Sequence, residues 1–240
     1  MGRRGLSRAI KRVPIPPEAL ARYVHDWRFE DELALAGHAL PDITSQALFG
    51  DGAPLEVEVG CGTGEFLCAL AAQHPERRFL GIDPSTQSLH FAARLALGLD
   101  LDNLRLARAP ASALYLHLVP GALAAAYVHF PDPYVRARGV HKVVNAGFLA
   151  HLARAMQPGG TFSFVSDHEP LFFEALAFVE AARADWEKTH EARFLRGYSP
   201  RVKSRYQLKW ERYGVEALCF EVRRRTAPPA GAWRAPPSLP

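Results

Sequence analysis

The 240-residue chain has only three cysteines, Cys61, Cys68 and Cys219. They form no C-x-x-C pair, so neither a disulfide framework nor a zinc cluster is expected, and a reducing cytoplasm fits best. The ten histidines show no H-x-x-x-H spacing, so no metal is expected. No apolar run reaches the roughly 20 residues that a bilayer-spanning helix needs, so no membrane association is expected. The opening MGRRGLSRAIKRVPIPP is basic, but no apolar segment follows it, so a secretory signal is not expected there. No internal repeat is present. The G-x-G-x-x-G spacing of dinucleotide-binding loops is also missing, which disfavours a nicotinamide oxidoreductase.

The sequence does have the makings of one sizeable domain. Hydrophobic residues make up 48% of the chain and charged residues 22%, as in ordinary globular proteins. The net charge of +4 is unevenly spread. Arg3, Arg4, Arg8, Lys11 and Arg12 meet no acid before Glu18. Arg201, Lys203, Arg205, Lys209 and Arg212 sit among Tyr198, Tyr206, Trp210 and Tyr213. Basic residues interleaved with aromatics suit phosphate neutralisation and base stacking; solvated surface is the plain alternative. Residues 1–17 read as a basic mobile arm, residues 18–225 as a single domain, and the Pro- and Ala-rich residues 226–240 as a disordered tail.

Within the domain, strand and helix patterns alternate. LEVEV (55–59), RFLGID (78–83), NLRLARA (103–109), AAAYVHF (124–130), TFSFVSD (161–167) and ALCFEVRR (217–224) are short apolar runs suited to buried strands. EFLCALAAQ, QSLHFAARLALGL, NAGFLAHLARAMQ and EPLFFEALAFVEAARADW carry apolar residues at helical spacing. Gln157-Pro158-Gly159-Gly160 reads as a helix stop that turns into a strand. The alternation predicts an open, largely parallel α/β sheet with its ligand crevice at the carboxyl ends of the strands. Glu58–Gly64, Asp83, Ala109–Ala111, His129–Tyr134 and Ser166–Asp167 are then expected to line that crevice.

Glu58-Val59-Gly60-Cys61-Gly62-Thr63-Gly64 has the spacing G-x-G-x-G behind an acid. Glycines permit a tight turn and close approach of backbone to ligand. The combination resembles the S-adenosyl-L-methionine loop of class I methyltransferases, in which an acid can meet the ammonium of the methionine end. Asp83, at the end of the next strand, suits the ribose hydroxyls. Cys61 and Cys68 read as packing residues. Phe172, Phe173 and Phe178 read as core.

His129-Phe130-Pro131-Asp132-Pro133-Tyr134 is a rigid loop, with two prolines clamping one acid. With Arg136 and Arg138 it resembles the FPDPW-x-K-x-R segment of bacterial tRNA (guanine-N7)-methyltransferases. EVGCGTGEF, LGID, NLRLARA, FLAHLARAMQPGG, TFSFVSDHEP and SRYQ match the same family in the same order, over roughly residues 55 to 224. The resemblance implies a Rossmann-like, mostly parallel seven-stranded sheet with helices on both faces. It implies S-adenosyl-L-methionine as cofactor, tRNA as partner, and a monomer or homodimer. It places cofactor contacts at Glu58, Gly60, Gly62, Gly64, Asp83, Pro110, Ala111 and Asp132, with Asp132 also catalytic. It places substrate contacts at Arg136, Asp167, Ser204, Arg205, Tyr206 and Gln207. A helix N-cap is the plain alternative for Asp167, and surface arginines for Arg136 and Arg138.

Three departures from the family pattern stand out. Pro110 occupies the place of an acid beside the adenine. Gly139–Val144 lacks most of a basic run. Gln207 replaces a carboxylate. They leave two alternatives to methyl transfer onto guanine N7: a non-catalytic RNA-binding protein on a decayed methyltransferase fold, or a methyltransferase with another acceptor.

Overall fold

A computed structural model describes residues 15–26, 42–111, 117–133, 142–197, 203, 207–208 and 211–226. Helix α1 (Pro17–Tyr23) starts with proline in its first turn and leads into β1 (Val24–Asp26). Helix α2 (Ser45–Phe49) is capped by the Thr44 hydroxyl and precedes β2 (Leu55–Val59). Then follow α3 (Glu65–Gln73), β3 (Arg78–Ile82), α4 (Thr86–Gly98), β4 (Leu104–Arg108) and β5 (Leu123–His129). The second half holds α5 (Ala146–Ala155), β6 (Met156–Ser166), α6 (Glu169–Ala181), β7 (Trp186–Lys188), β8 (Leu195–Arg196) and β9 (Leu218–Arg224).

The strands pair in the order β1-β4-β3-β2-β5-β6-β9-β7, with β8 also on β9. The pairings from β1 to β6 are parallel, and β9 runs antiparallel to β6, β7 and β8. The sheet therefore has nine strands among the described residues, where seven are expected. The additions, β1 and β8, are two or three residues long and lie outside the run of seven from β4 to β7. Gln157-Pro158-Gly159-Gly160 lies inside β6 rather than before it. Leu123 pairs with Met156, and the register then shifts so that Ala125 faces Thr161.

All five residues of β2 are buried, as befits a strand covered on both faces. One face carries a core in which Val57, Leu80 and Phe162 meet Phe148 of α5 and Phe172 of α6. A second core joins Phe79, Leu104 and Leu106 to Tyr23, Leu67, Leu89 and Ala92 of α1, α3 and α4. Neighbouring strand residues such as Phe79 and Leu80 serve opposite cores because strand side chains alternate. From β2 the chain builds outward to β3 and β4, then returns to pair β5 on the other side of β2. That reversal opens a crevice at the carboxyl ends of β2 and β5, where ligands of open α/β sheets bind.

Candidate active site

The glycine loop fills the step from β2 to α3. The amides of Gly60 and Cys61 both donate to the Ile82 carbonyl, at 2.7 and 3.1 Å. Gly60, Gly62 and Gly64 have φ of +81°, +55° and +77°, a region that disfavours any residue with a Cβ. Their surroundings differ. A Cβ added at Gly60 or Gly62 meets nothing within 4 Å, whereas one at Gly64 lies 2.6 Å from the Ala92 Cβ. Gly64 thus lets α3 and α4 pack, while Gly60 and Gly62 border open space.

Beneath the glycine loop, Glu58 is 4% exposed and its Oε2 is buried with no hydrogen-bond partner. Burial, then the nearby carboxylates of Glu65 and Asp83, push its carboxyl well above the usual range. A cationic group placed against this carboxyl would favour its ionised form. Asp83 also holds the loop together: Oδ2 accepts from the Gly62 amide (3.0 Å) and Oδ1 from the Ser85 amide (2.8 Å). Thr63 closes the loop by donating to Glu65 Oε2 at 2.6 Å.

Cys61 and Cys68 are buried packing residues. Burial pushes both thiols up, Cys68 to about 12, so neither is a ready nucleophile.

The second loop follows β5, whose Tyr127 pairs with Glu58 of β2. Asp132 is exposed beyond the strand end. Phe130, at φ +50°, donates its amide to the Val165 carbonyl (2.7 Å) and packs with Val165, Ala217 and Cys219. His129 is buried, and its Nε2 lies 3.1 Å from Ser163 Oγ. Burial lowers its pKa to about 3, so the ring is neutral. Further along the same edge, Asp167 follows β6. It is not the N-cap of α6: that place belongs to His168, whose ring accepts from the Leu171 amide at 3.2 Å. The ring periodicity of α6 is as expected, with Phe172 buried and Phe173 and Phe178 packed against the core.

A family model described as "Putative methyltransferase" matches residues 52–220. A tRNA (guanine-N(7)-)-methyltransferase of Rubrobacter xylanophilus is 42% identical over 226 residues, covering 93% of this chain and all of the relative. The chain belongs to the tRNA (guanine-N7)-methyltransferase family. A Chloroflexus aurantiacus protein of that name is 34% identical over 213 residues, 87% of this chain and 92% of its own. Among solved structures, "Structure of an Antibiotic Related Methyltransferase" superposes with a TM-score of 0.54 at 19% identity, over 78% of this chain and 96% of that one. At that identity the likeness concerns the fold.

The family's remaining motif positions are split by the structure. Pro110 is exposed beyond β4, and Ala111 is partly buried against the core. Glu58, Gly60, Gly62, Gly64, Asp83, Asp132 and Asp167 all follow or end parallel strands at one edge of the sheet. Gln207 is only 3% exposed and donates from Nε2 to Glu211 Oε1 at 3.1 Å. Glu211 also takes Lys203 Nζ at 2.9 Å, so Lys203 is engaged with an acid rather than offered to phosphate. Tyr134, Arg136, Arg138, His141, Ser204, Arg205 and Tyr206 lie outside the described residues, as do residues 1–14 and 227–240. No group of three or more His, Cys, Asp or Glu suited to a metal occurs among the described residues. No helix among them is long and apolar enough to cross a membrane. The contact of Phe66 with His129 and the bond from Gln207 to Glu211 carry no signal in the sequence.

Proposed function

We propose that this chain transfers a methyl group from S-adenosyl-L-methionine to N7 of a guanine in tRNA. The observation that carries the reading is the buried Glu58 carboxyl, unpartnered at Oε2, under an open glycine cradle one strand from the Asp132 loop. The acceptor is the one named for the relatives at 42% and 34% identity.

The residues fit the cofactor. Glu58 suits its ammonium end, Gly60 and Gly62 admit it close to the backbone, and the Asp83 carboxylate suits the ribose hydroxyls as an acceptor. S-adenosyl-L-methionine supplies an electrophilic sulfonium methyl. Guanine N7 has a free lone pair, so no base need remove a proton before attack. Asp132 orients the acceptor and offsets the positive charge that methylation places on the purine. Asp167 accepts hydrogen bonds from the guanine edge, and Arg136, Ser204, Arg205 and Tyr206 hold the RNA. The target guanine leaves its stack to reach the loop. A tRNA substrate places this work in the cytoplasm.

The test is methyl transfer from radiolabelled S-adenosyl-L-methionine to unmodified total tRNA, with digestion to locate the label. Label in 7-methylguanosine is expected, and Asp132→Ala should lower the rate by about 100-fold at an unchanged melting temperature. Cofactor binding without label in tRNA would transfer the site to another acceptor. Neither binding nor label would make it a binding protein on a decayed fold.

A further inference from the structure

A pocket of about 280 Å³ lies beside the Asp132 loop, lined by Phe130, Gln207, Glu211, Gly214, Glu216 and Ala217 among the described residues. Its volume is close to the lower end of small-ligand sites, roughly 300–1,000 Å³, which suits one planar base. Phe130 joins it to the loop. Left-handed backbone is strained for a phenylalanine, and here the bond to Val165 and the packing on Ala217 and Cys219 hold it. The pocket therefore starts one side chain away from Pro131-Asp132.

The lining is acidic in a chain of net charge +4. Glu211 and Glu216 would repel a phosphate. They call for a ligand with hydrogen-bond donors and no negative charge of its own. Glu211 is set up as an acceptor: Gln207 donates to its Oε1, Lys203 to its Oε2, and the Lys203 ammonium holds its carboxyl below the usual range. A carboxylate has about four lone-pair sites, so two donors leave room for a ligand. Of the four RNA bases, guanine presents two donors side by side on its pairing edge, N1–H and N2–H2. Adenine offers an acceptor at N1, which a carboxylate repels. A guanine held by that edge keeps N7, on its opposite edge, free for reaction.

The rim fits as well. Six large hydrophobic residues are exposed among the described residues; Val215 is one of the lining residues, and Leu208 and Tyr213 are next to lining residues in sequence. An apolar and aromatic rim around a polar pocket is the arrangement that receives an unstacked base.

We propose that Glu211, positioned by Gln207, is a second carboxylate, in addition to Asp167, that reads the pairing edge of the target guanine. The proposal rests on the tRNA guanine reading above. It also accounts for Gln207: the charge absent at that position is found four residues later on Glu211, to which Gln207 donates.

Glu211→Gln tests it, because the variant keeps the shape and the bond from Gln207 while removing the charge. Methylation of unmodified tRNA should fall by about 10–100-fold, the worth of a charged hydrogen bond. The melting temperature and S-adenosylhomocysteine affinity should stay at wild-type values. Inosine in place of the labelled guanosine removes the N2 donors. It should slow the wild type and have no further effect on Glu211→Gln. A variant that methylates like wild type, or an inosine effect equal in both proteins, overturns the proposal while leaving the tRNA activity standing. A wild-type protein that labels no tRNA guanine overturns both.

Discussion

The ring of Phe66 lies 4.6 Å from the ring of His129, centroid to centroid, at an interplanar angle of 60°. Phe66 is the second residue of α3, directly after the glycine loop, and His129 is the last residue of β5, directly before Phe130-Pro131-Asp132. Phe66 also meets Tyr127 edge-on at 5.2 Å. Two loops that are 65 residues or more apart in the chain are thus braced on one aromatic ring, 6% exposed.

Phe66→Ala should therefore do more than open a cavity. The cavity itself costs about 3–5 kcal/mol, readable by urea denaturation. Loss of the brace lets the two loops move relative to each other, and a shift of about 1 Å costs on the order of 100-fold in rate. Phe66→Leu, which keeps most of the volume, should recover stability more fully than methyl transfer. Equal recovery of both would make Phe66 a core residue only.

His129 ties acid stability to the same place. Its folded pKa, about 3, lies below the ordinary 6.5, so below 6.5 the unfolded chain gains a proton that the native state does not accept. This contribution is complete above pH 6.5 and is lost as pH falls toward 3. His129→Gln, which preserves a partner for Ser163, should flatten the fall in melting temperature between about pH 6.5 and 4. A wild-type slope in that variant would assign the acid sensitivity elsewhere.

Glu58 acts with the opposite sign. Its folded pKa is raised by burial and by Glu65 and Asp83, so the native state keeps a proton that the unfolded chain releases. Its contribution is complete below the unfolded carboxylate value of about 4.3 and is lost as pH rises through the folded pKa. Glu58→Gln should raise the melting temperature of the ligand-free protein at neutral pH. It should also weaken S-adenosyl-L-methionine binding by about 10–100-fold. If the carboxyl meets the cofactor ammonium, wild-type binding releases a proton, and the calorimetric enthalpy will vary with buffer ionisation heat. Glu58→Gln should abolish that variation; a variant that keeps it would place the proton on another group.

The three loop glycines should separate in their effects. Gly64→Ala drives a Cβ to 2.6 Å from that of Ala92, which costs about 1–3 kcal/mol in overpacking on top of left-handed strain of roughly 1–2 kcal/mol. Gly60→Ala and Gly62→Ala meet no neighbour, so they should show the strain alone in urea denaturation but a larger loss in cofactor affinity. Equal stability losses at all three positions would contradict the packing role given to Gly64.

The main strands were legible because each is a short run of β-favouring residues bounded by turn residues. LEVEV, RFLGI and LCFEVRR sit in the sheet nearly where their patterns end, and EFLCALAAQ forms α3 at its full length. The short edge strands were not legible. A two-residue strand such as Leu195–Arg196 has no period to read, and only the presence of β9 beside it makes it a strand. Gln157-Pro158-Gly159-Gly160 has the composition of a turn, yet pairing of Leu123 with Met156 draws it into β6 as an irregular segment. Asp167 is the cap favoured by residue type, yet the cap of α6 is His168, one residue on, after a turn in which the Ser166 hydroxyl accepts from the His168 amide.

By itself the sequence determined the parallel α/β architecture, the glycine loop, the Asp132 loop and the family they resemble. All of these are written in short contiguous patterns, where backbone preference and burial act on neighbours in the chain. The tertiary structure alone decided which acids lose their water and which keep it, that Phe66 braces His129, and that Gln207 donates to Glu211. Desolvation and contact depend on what the fold brings alongside a residue, and no local pattern encodes that.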